Sequence, residues 1–270
     1  VESEIRNIFS VDLEDWFFTG DYPVDSAKLK YYEQNLIINT RIILKLLNES
    51  KNTATFFVLG KIAESLPDLI NEIHCSGHEI ATHGYSHKKI YTMTEEEFNE
   101  DLDKTISAIT KVTKIKPFGY RSPYFQIQPW IFKVLNKFGV KYDSSMNIRG
   151  MGGESYRQDI YLSANTQNII EFELENYNLF GVSIPINGGG YFRAYPYAIF
   201  KKLFTKCINK YNMRIFYIHP WDLGNSLDKK FDNNINRFKN FYNSSSSLNK
   251  LEKLMEDYNF DSFRKFLEEK

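Results

Sequence analysis

Short apolar runs alternate along the chain with longer stretches whose apolar positions recur every three or four residues. The runs fall at residues 8–11, 54–59, 79–81, 118–120, 169–174, 182–184 and 214–218. Their shortness and their content of Val, Ile and Phe predict strands. Between them, Leu36, Thr40, Ile43, Leu44 and Leu47 share one helical face. Thr94 and Glu97 form a capping box ahead of Phe98, Leu102, Ile106 and Ile109, and Pro129 opens a segment that Gly139 closes. Strand-helix alternation over the first half predicts βαβ units with parallel strands, whereas residues 147–187 are richer in strand and loop signals. An irregular barrel accommodates both. Asn243 and the serines that follow it read as a loop, with Ser247 capping a terminal amphipathic helix over about residues 247–270.

The chain has 270 residues, 42% of them hydrophobic, enough to fill the core of one α/β unit. A single catalytic domain over residues 1–270 is expected. Lys+Arg and Asp+Glu both total 34, so there is no basic footprint for nucleic acid. Cys75 and Cys207 fit neither a disulfide framework nor a thiolate cluster, and both are expected as buried free thiols. The start lacks the pattern of a secretory signal and no run approaches the roughly 20 apolar residues of a membrane span, so a soluble, cytoplasmic protein without a transmembrane segment is expected. The abundant aromatic rings are expected chiefly in the core.

Polar residues with chemical potential follow several of the apolar runs. In Thr82-His83-Gly84-Tyr85-Ser86-His87 two histidines stand four apart, a spacing that turns two imidazole nitrogens toward one point. A carboxylate from elsewhere would complete a three-ligand metal site with an open position for water. Asp12-Leu13-Glu14-Asp15 supplies it: strand alternation puts Asp12 and Glu14 on one side, giving Asp12 as base and Glu14 as ligand, with Asp15 close behind. His74 and His78 share the four-residue spacing but belong to a helix end and its turn, where a structural role is expected.

Arg121, in Arg121-Ser122-Pro123-Tyr124, is expected to hold Asp12 as a carboxylate, and the Tyr124 amide to face a developing oxyanion. His219, after the run at 214–218, has the pKa range of a general acid, with Trp221 walling the pocket and Asp222 orienting a ring or binding substrate. Gly188-Gly189-Gly190-Tyr191-Phe192-Arg193 is expected to line the substrate site, Arg193 meeting an acidic sugar or phosphate. The ends of parallel strands lie on one face of a β/α barrel, so these segments should converge.

Together, Ser10 to Trp16, Thr82 to His87, Arg121 to Tyr124 and Ile218 to Trp221 resemble the polysaccharide deacetylase family with its NodB homology domain, in family order over about residues 9–223. Thr55 to Gly60, Gly77 to Ala81 and Gly188 to Arg193 are similar to a branch associated with bacterial exopolysaccharide and surface-glycan assembly. The resemblance implies an α/β fold, a deformed (β/α) barrel, a zinc or similar divalent ion, and hydrolysis of an N-acetyl group from an amino sugar in a glycan. Matched residue by residue, it implies Asp12 as base, His83 and His87 as metal ligands, Arg121 as partner of the base and His219 as acid. The family pattern has two adjacent aspartates at the first motif. Here Leu13 follows Asp12, which leaves Glu14 or Asp15 as the metal-binding acid. Two rival readings are a cyclic-amide hydrolase on the same fold and a non-catalytic sugar-binding relative.

Overall fold

Along the first strand, Arg6–Leu13, every residue from Ile8 onward is buried, Ser10 and Asp12 included. A strand covered on both faces belongs in the interior of a parallel sheet. The computed structural model describes residues 5–15, 17, 27, 29–147, 153–223 and 243–269. In chain order its strands are β1 (Arg6–Leu13), β2 (Thr55–Val58), β3 (Glu79–Thr82), β4 (Gly119–Tyr120), β5 (Tyr142–Asp143), β6 (Ile170–Glu171), β7 (Tyr177–Leu179), β8 (Val182–Ile184) and β9 (Met213–Ile218). In the second unit the strands run β6-β5-β4-β3-β2, in the first β1 pairs with β9, and β7 and β8 make a separate hairpin. The pairings of β1 with β9 and from β2 through β6 are parallel. Parallel strands joined by helices are the α/β class of the deformed (β/α) fold expected from the sequence. Among the described residues no helix is long and apolar enough to cross a membrane.

Contacts divide the chain into two compact units, Val1–Ala54 with Asn176–Lys270, and Thr55–Glu175. In the first unit, helix α1 (Leu29–Glu49) buries the stripe formed by Leu36, Thr40, Ile43, Leu44 and Leu47. Phe216 on β9 is the hub of an aromatic cluster, its ring centroid 5.7 Å from Phe9, 5.0 Å from Phe192 and 5.6 Å from Phe200. Such edge-on contacts add to the burial of each ring. These rings pack the core, as expected for most aromatics.

In the second unit, α2 (Gly60–Ser65), α3 (Pro67–Cys75), α4 (Glu95–Thr113) and α5 (Ile131–Lys137) follow their strands. The capping box forms as read: Thr94 Oγ1 accepts the Glu97 amide at 3.2 Å while the Glu97 carboxylate accepts the Thr94 amide at 2.8 Å. Gly139, with φ +76°, follows α5 as the expected stop. Phe98, Leu102, Ile106, Phe132 and Leu135 bury together with Tyr120.

Three expectations are corrected. Residues read as strand and loop include helix α6 (Gly153–Thr166). Its buried Ile160 and Ala164 are one turn apart in a mostly polar segment, so packing against the core decides what periodicity left faint. Ser247 is not a cap but the first residue of its helix, preceded by a 3₁₀ turn over Ser244–Ser246. Cys207 is buried, but Cys75 is exposed at the end of α3.

Asp143 and Glu171 are partners across the β5–β6 pairing, and both are buried. Burial pushes the Asp143 carboxyl up, against its bonds to Glu171 and Ser145 and the nearby Arg121 charge. Burial also raises Glu171, well above the ordinary range, and the Asp143 charge raises it further. An acid whose pKa is higher folded than unfolded binds more proton in the fold, so its stabilisation is present at low pH and is lost as pH rises past the ordinary carboxylate range. Glu171→Gln should therefore melt higher than the parent at pH 8, by about 2–4 °C for each kcal/mol of buried charge removed, with the gap shrinking toward pH 5. A gap independent of pH in thermal melts would contradict this origin.

Candidate active site

Parallel register brings the polar groups to one sheet edge within each unit. Val11 pairs with Ile218, so Asp12 and His219 leave β1 and β9 side by side. Thr82 pairs with Val58 on one side and Tyr120 on the other, so His83 and Arg121 emerge at the same level. The chemistry is spread over four chain segments because the strand ends, not sequence proximity, gather it.

In the second unit, the His83 to His87 loop is tied down by backbone bonds. The His83 amide donates to Val58, and the Gly84 and Tyr85 carbonyls accept from Gly60 and Lys61. Asp101 on α4 accepts the Tyr85 amide at 2.7 Å. Gly84 has φ +76°, and a Cβ there would stand 3.3 Å from the Asp101 carboxylate and 3.5 Å from Pro123. The Arg121 carbonyl lies 2.8 Å from His83 Nδ1. A carbonyl can only accept, so Nδ1 carries the proton and Nε2 keeps its lone pair for a metal. The two imidazole centroids are 5.6 Å apart.

Arg121 is fully buried. Its Nε and Nη2 donate to the carbonyl and hydroxyl of Ser144 at 2.9 and 3.0 Å, and its guanidinium covers the Phe57 ring at 4.1 Å. Tyr124 and Phe125 hold positive φ, +57° and +55°, a conformation that costs a non-glycine residue energy and collects at functional sites. The Tyr124 ring sits 4.4 Å from that of His87. Neither Asp101 nor Ser144 was singled out from sequence. Asp143-Ser144-Ser145 follows an apolar run as the other polar clusters do, and that signal was available.

In the first unit, Asp12, Glu14 and Asp15 are buried. The Glu14 amide donates to the Asp12 carbonyl at 2.9 Å in a tight turn as the strand ends. Both carboxylates face His219, whose Nε2 is 3.4 Å from Glu14 Oε1 and 3.9 Å from Asp12 Oδ2. The ring stacks on Trp221 at 4.0 Å with planes 9° apart. Asp222 Oδ2 accepts the His219 amide at 2.8 Å and lies 3.3 Å from Nδ1. Burial pushes the His219 imidazole down, but Asp222, Glu14 and Asp12 overcome it and leave its pKa above the ordinary value. Burial pushes Asp222 up, and the Arg193 guanidinium with the His219 bonds outweighs that, holding it below the usual carboxylate range.

Arg193 is a correction to the sequence reading. It is buried, with its guanidinium paired to Asp222 Oδ1. The glycines before it make room for protein side chains: a Cβ on Gly188 would meet the Tyr217 hydroxyl and one on Gly189 the Asp222 carboxylate. Trp16, quoted in the first motif, lies outside the described residues.

His83 and His87, in the second unit, each offer an imidazole nitrogen to a metal, and Glu14, in the first, offers a carboxylate oxygen. One carboxylate with two imidazoles is a donor set suited to a divalent ion that keeps an open position. Asp15 is not among these donors. His78, the other candidate pair with His74, is buried near Phe56, and burial pushes its pKa down to about 4.

The profile of the polysaccharide deacetylase family matches residues 38–142. Over those residues the chain is similar to that family. Residues 144–268 match a second profile, a domain of unknown function, DUF3473. The Helicobacter pylori peptidoglycan deacetylase is 33% identical over 104 residues, 38% of this chain and 36% of its own length. The Bacillus cereus peptidoglycan-N-acetylglucosamine deacetylase is 27% identical over 164 residues, 55% of this chain and 59% of its own. The chain thus spans less than two thirds of each. In fold it is similar to the Bacillus subtilis peptidoglycan deacetylase PdaC, with TM-score 0.53 and 14% identity over 98% of this chain and 91% of that one.

His83→Gln or His87→Gln should lower the affinity for added zinc by more than about 100-fold, beyond the loss usual for outer partners. His74→Gln should leave it unchanged. Equal binding by all three variants in a metal titration would remove the imidazole pair as the ligand site.

Proposed function

We propose that the chain is a metal-dependent N-deacetylase that hydrolyses the acetamido group of an amino sugar in a glycan, releasing acetate. The observations that carry this reading are, in one unit, the His83 and His87 pair with the Arg121 carbonyl on His83 Nδ1 and, in the other, Asp12 and Glu14 set beside the His219 ring. Glu14, His83 and His87 would hold the ion, for which zinc is the best match to one carboxylate and two imidazoles. When bound, such an ion polarises a carbonyl oxygen and lowers the pKa of water.

Asp12 takes a proton from the attacking water as its oxygen bonds to the acetyl carbon. Arg121 is assigned as the partner of the base, and the Tyr124 amide, presented by a turn of positive φ, supports the oxyanion. His219 then gives the Nε2 proton to the sugar nitrogen as the C–N bond breaks, leaving acetate and a free amine. Its plane is fixed by Trp221 and Asp222. The two peptidoglycan deacetylases among the relatives support an N-acetylated amino-sugar substrate. Similarity of the segments at 55–60, 77–81 and 188–193 to the exopolysaccharide branch favours an exopolysaccharide or surface glycan, as polymer or precursor.

Asp12→Asn should cut acetate release from N-acetylated oligosaccharides by about 10²–10⁴-fold, the usual worth of a general base, with metal content unchanged. Full activity in that variant would remove Asp12 as base. Chelation should silence the protein, and zinc or cobalt should restore it. Activity indifferent to chelator, or ring opening of a small cyclic imide without acetate release from any glycan, would overturn the proposed reaction.

A further inference from the structure

Helix α7 (Gly189–Ala194) meets the His219 loop through one carboxylate. Asp222 divides its two oxygens: Oδ1 takes the Arg193 guanidinium, and Oδ2 takes the His219 amide and its Nδ1. Gly189 lies against the same carboxylate so closely that a Cβ would stand 1.9 Å from Oδ2. The end of α7 is fixed in turn from the helix α8 (Ser247–Asp257), where Lys250 Nζ donates to the carbonyls of Phe192, Arg193 and Tyr195 at 3.2, 2.8 and 2.9 Å. Asn243 also donates to the Arg193 carbonyl, at 2.9 Å.

We propose that Arg193 is a positioning residue for His219, acting through Asp222 to hold the imidazole with Nδ1–H on the carboxylate and Nε2 toward Asp12 and Glu14. The catalytic consequence rests on the deacetylase reading; the ring geometry does not. A carboxylate as buried as Asp222 is costly without a paired cation, so removal of Arg193 leaves a charge that must turn to water, protonate or shift. Each of these releases Nδ1, and the ring can then flip or change tautomer. Lysine carries the charge but not the planar fork, so it can replace arginine only in part. The glycine at 189 is required for the same reason: α7 must approach close enough for the guanidinium to reach the carboxylate.

The test uses the full chain loaded with zinc, in Arg193→Gln, Arg193→Lys and Gly189→Ala forms. Arg193→Gln should lower kcat for acetate release by about 10–100-fold, the loss typical of partners behind a catalytic group, with KM within about twofold and zinc content unchanged. Arg193→Lys should recover part of it. Gly189→Ala, which keeps Arg193 but crowds Asp222, should lose kcat in the same way, and it decides alone if Arg193→Gln does not fold. Nitrogen NMR of labelled histidine should show neutral His219 as the Nδ1–H tautomer in the parent and as a mixture in Arg193→Gln and Gly189→Ala. Parent-like kcat in both variants, or an undisturbed tautomer in both, would overturn the proposal. If the parent releases no acetate, the deacetylase reading falls while the tautomer still decides the role of Arg193.

Discussion

Carboxylates taken out of water at the strand ends set the terms for everything around them. Asp12, Glu14, Asp15 and Asp222 are all buried, and each buried charge costs several kcal/mol unless a cation or hydrogen bonds answer it. For Asp222 the answer is Arg193 and the His219 loop. For Glu14 and Asp12 it includes the imidazole of His219, and a dication shared by Glu14 with two neutral imidazoles would answer it more fully. The glycine against Asp222, the stacked Trp221 and the pinned histidine loop follow from the need to hold charged groups still where water cannot.

Much of this was legible in the sequence because strands and metal ligands both leave periodic marks. Runs of three to six residues located β1, β2, β3, β4, β6, β8 and β9, and a single rule, polar residues at the ends of such runs, pointed to Asp12, His83, Arg121 and His219. The spacing of His83 and His87 survived as a donor pair because the loop between them is short and held at both sides. β5 is as short as β4 and β6 but has Lys141 between Val140 and Tyr142, and it was overlooked along with the serine that supports Arg121.

What the sequence misled on were residues whose partners are distant. Arg193 beside three glycines looks like an open ligand-binding loop. Only the fold reveals that Asp222 lies 29 positions on and that the glycines yield space to Asp222 and Tyr217. Backbone direction at the first motif was likewise hidden: the chain bends as β1 ends, with the Glu14 amide on the Asp12 carbonyl, and both carboxylates face His219. Asp143 and Glu171 show the opposite balance, burial raising both carboxyls where Asp222 is held low.

The Lys250 ammonium that gathers three carbonyls at the end of α7 gives the C-terminal region a meaning of its own. The stretch matched to a domain of unknown function holds His219, Asp222, Arg193 and Lys250, while the deacetylase profile holds His83, His87 and Arg121. The boundary between the two profiles therefore divides the residues of the proposed reaction. A recombinant fragment cut at that seam would keep His83 and His87, the proposed metal ligands, and forfeit His219, the proposed proton donor.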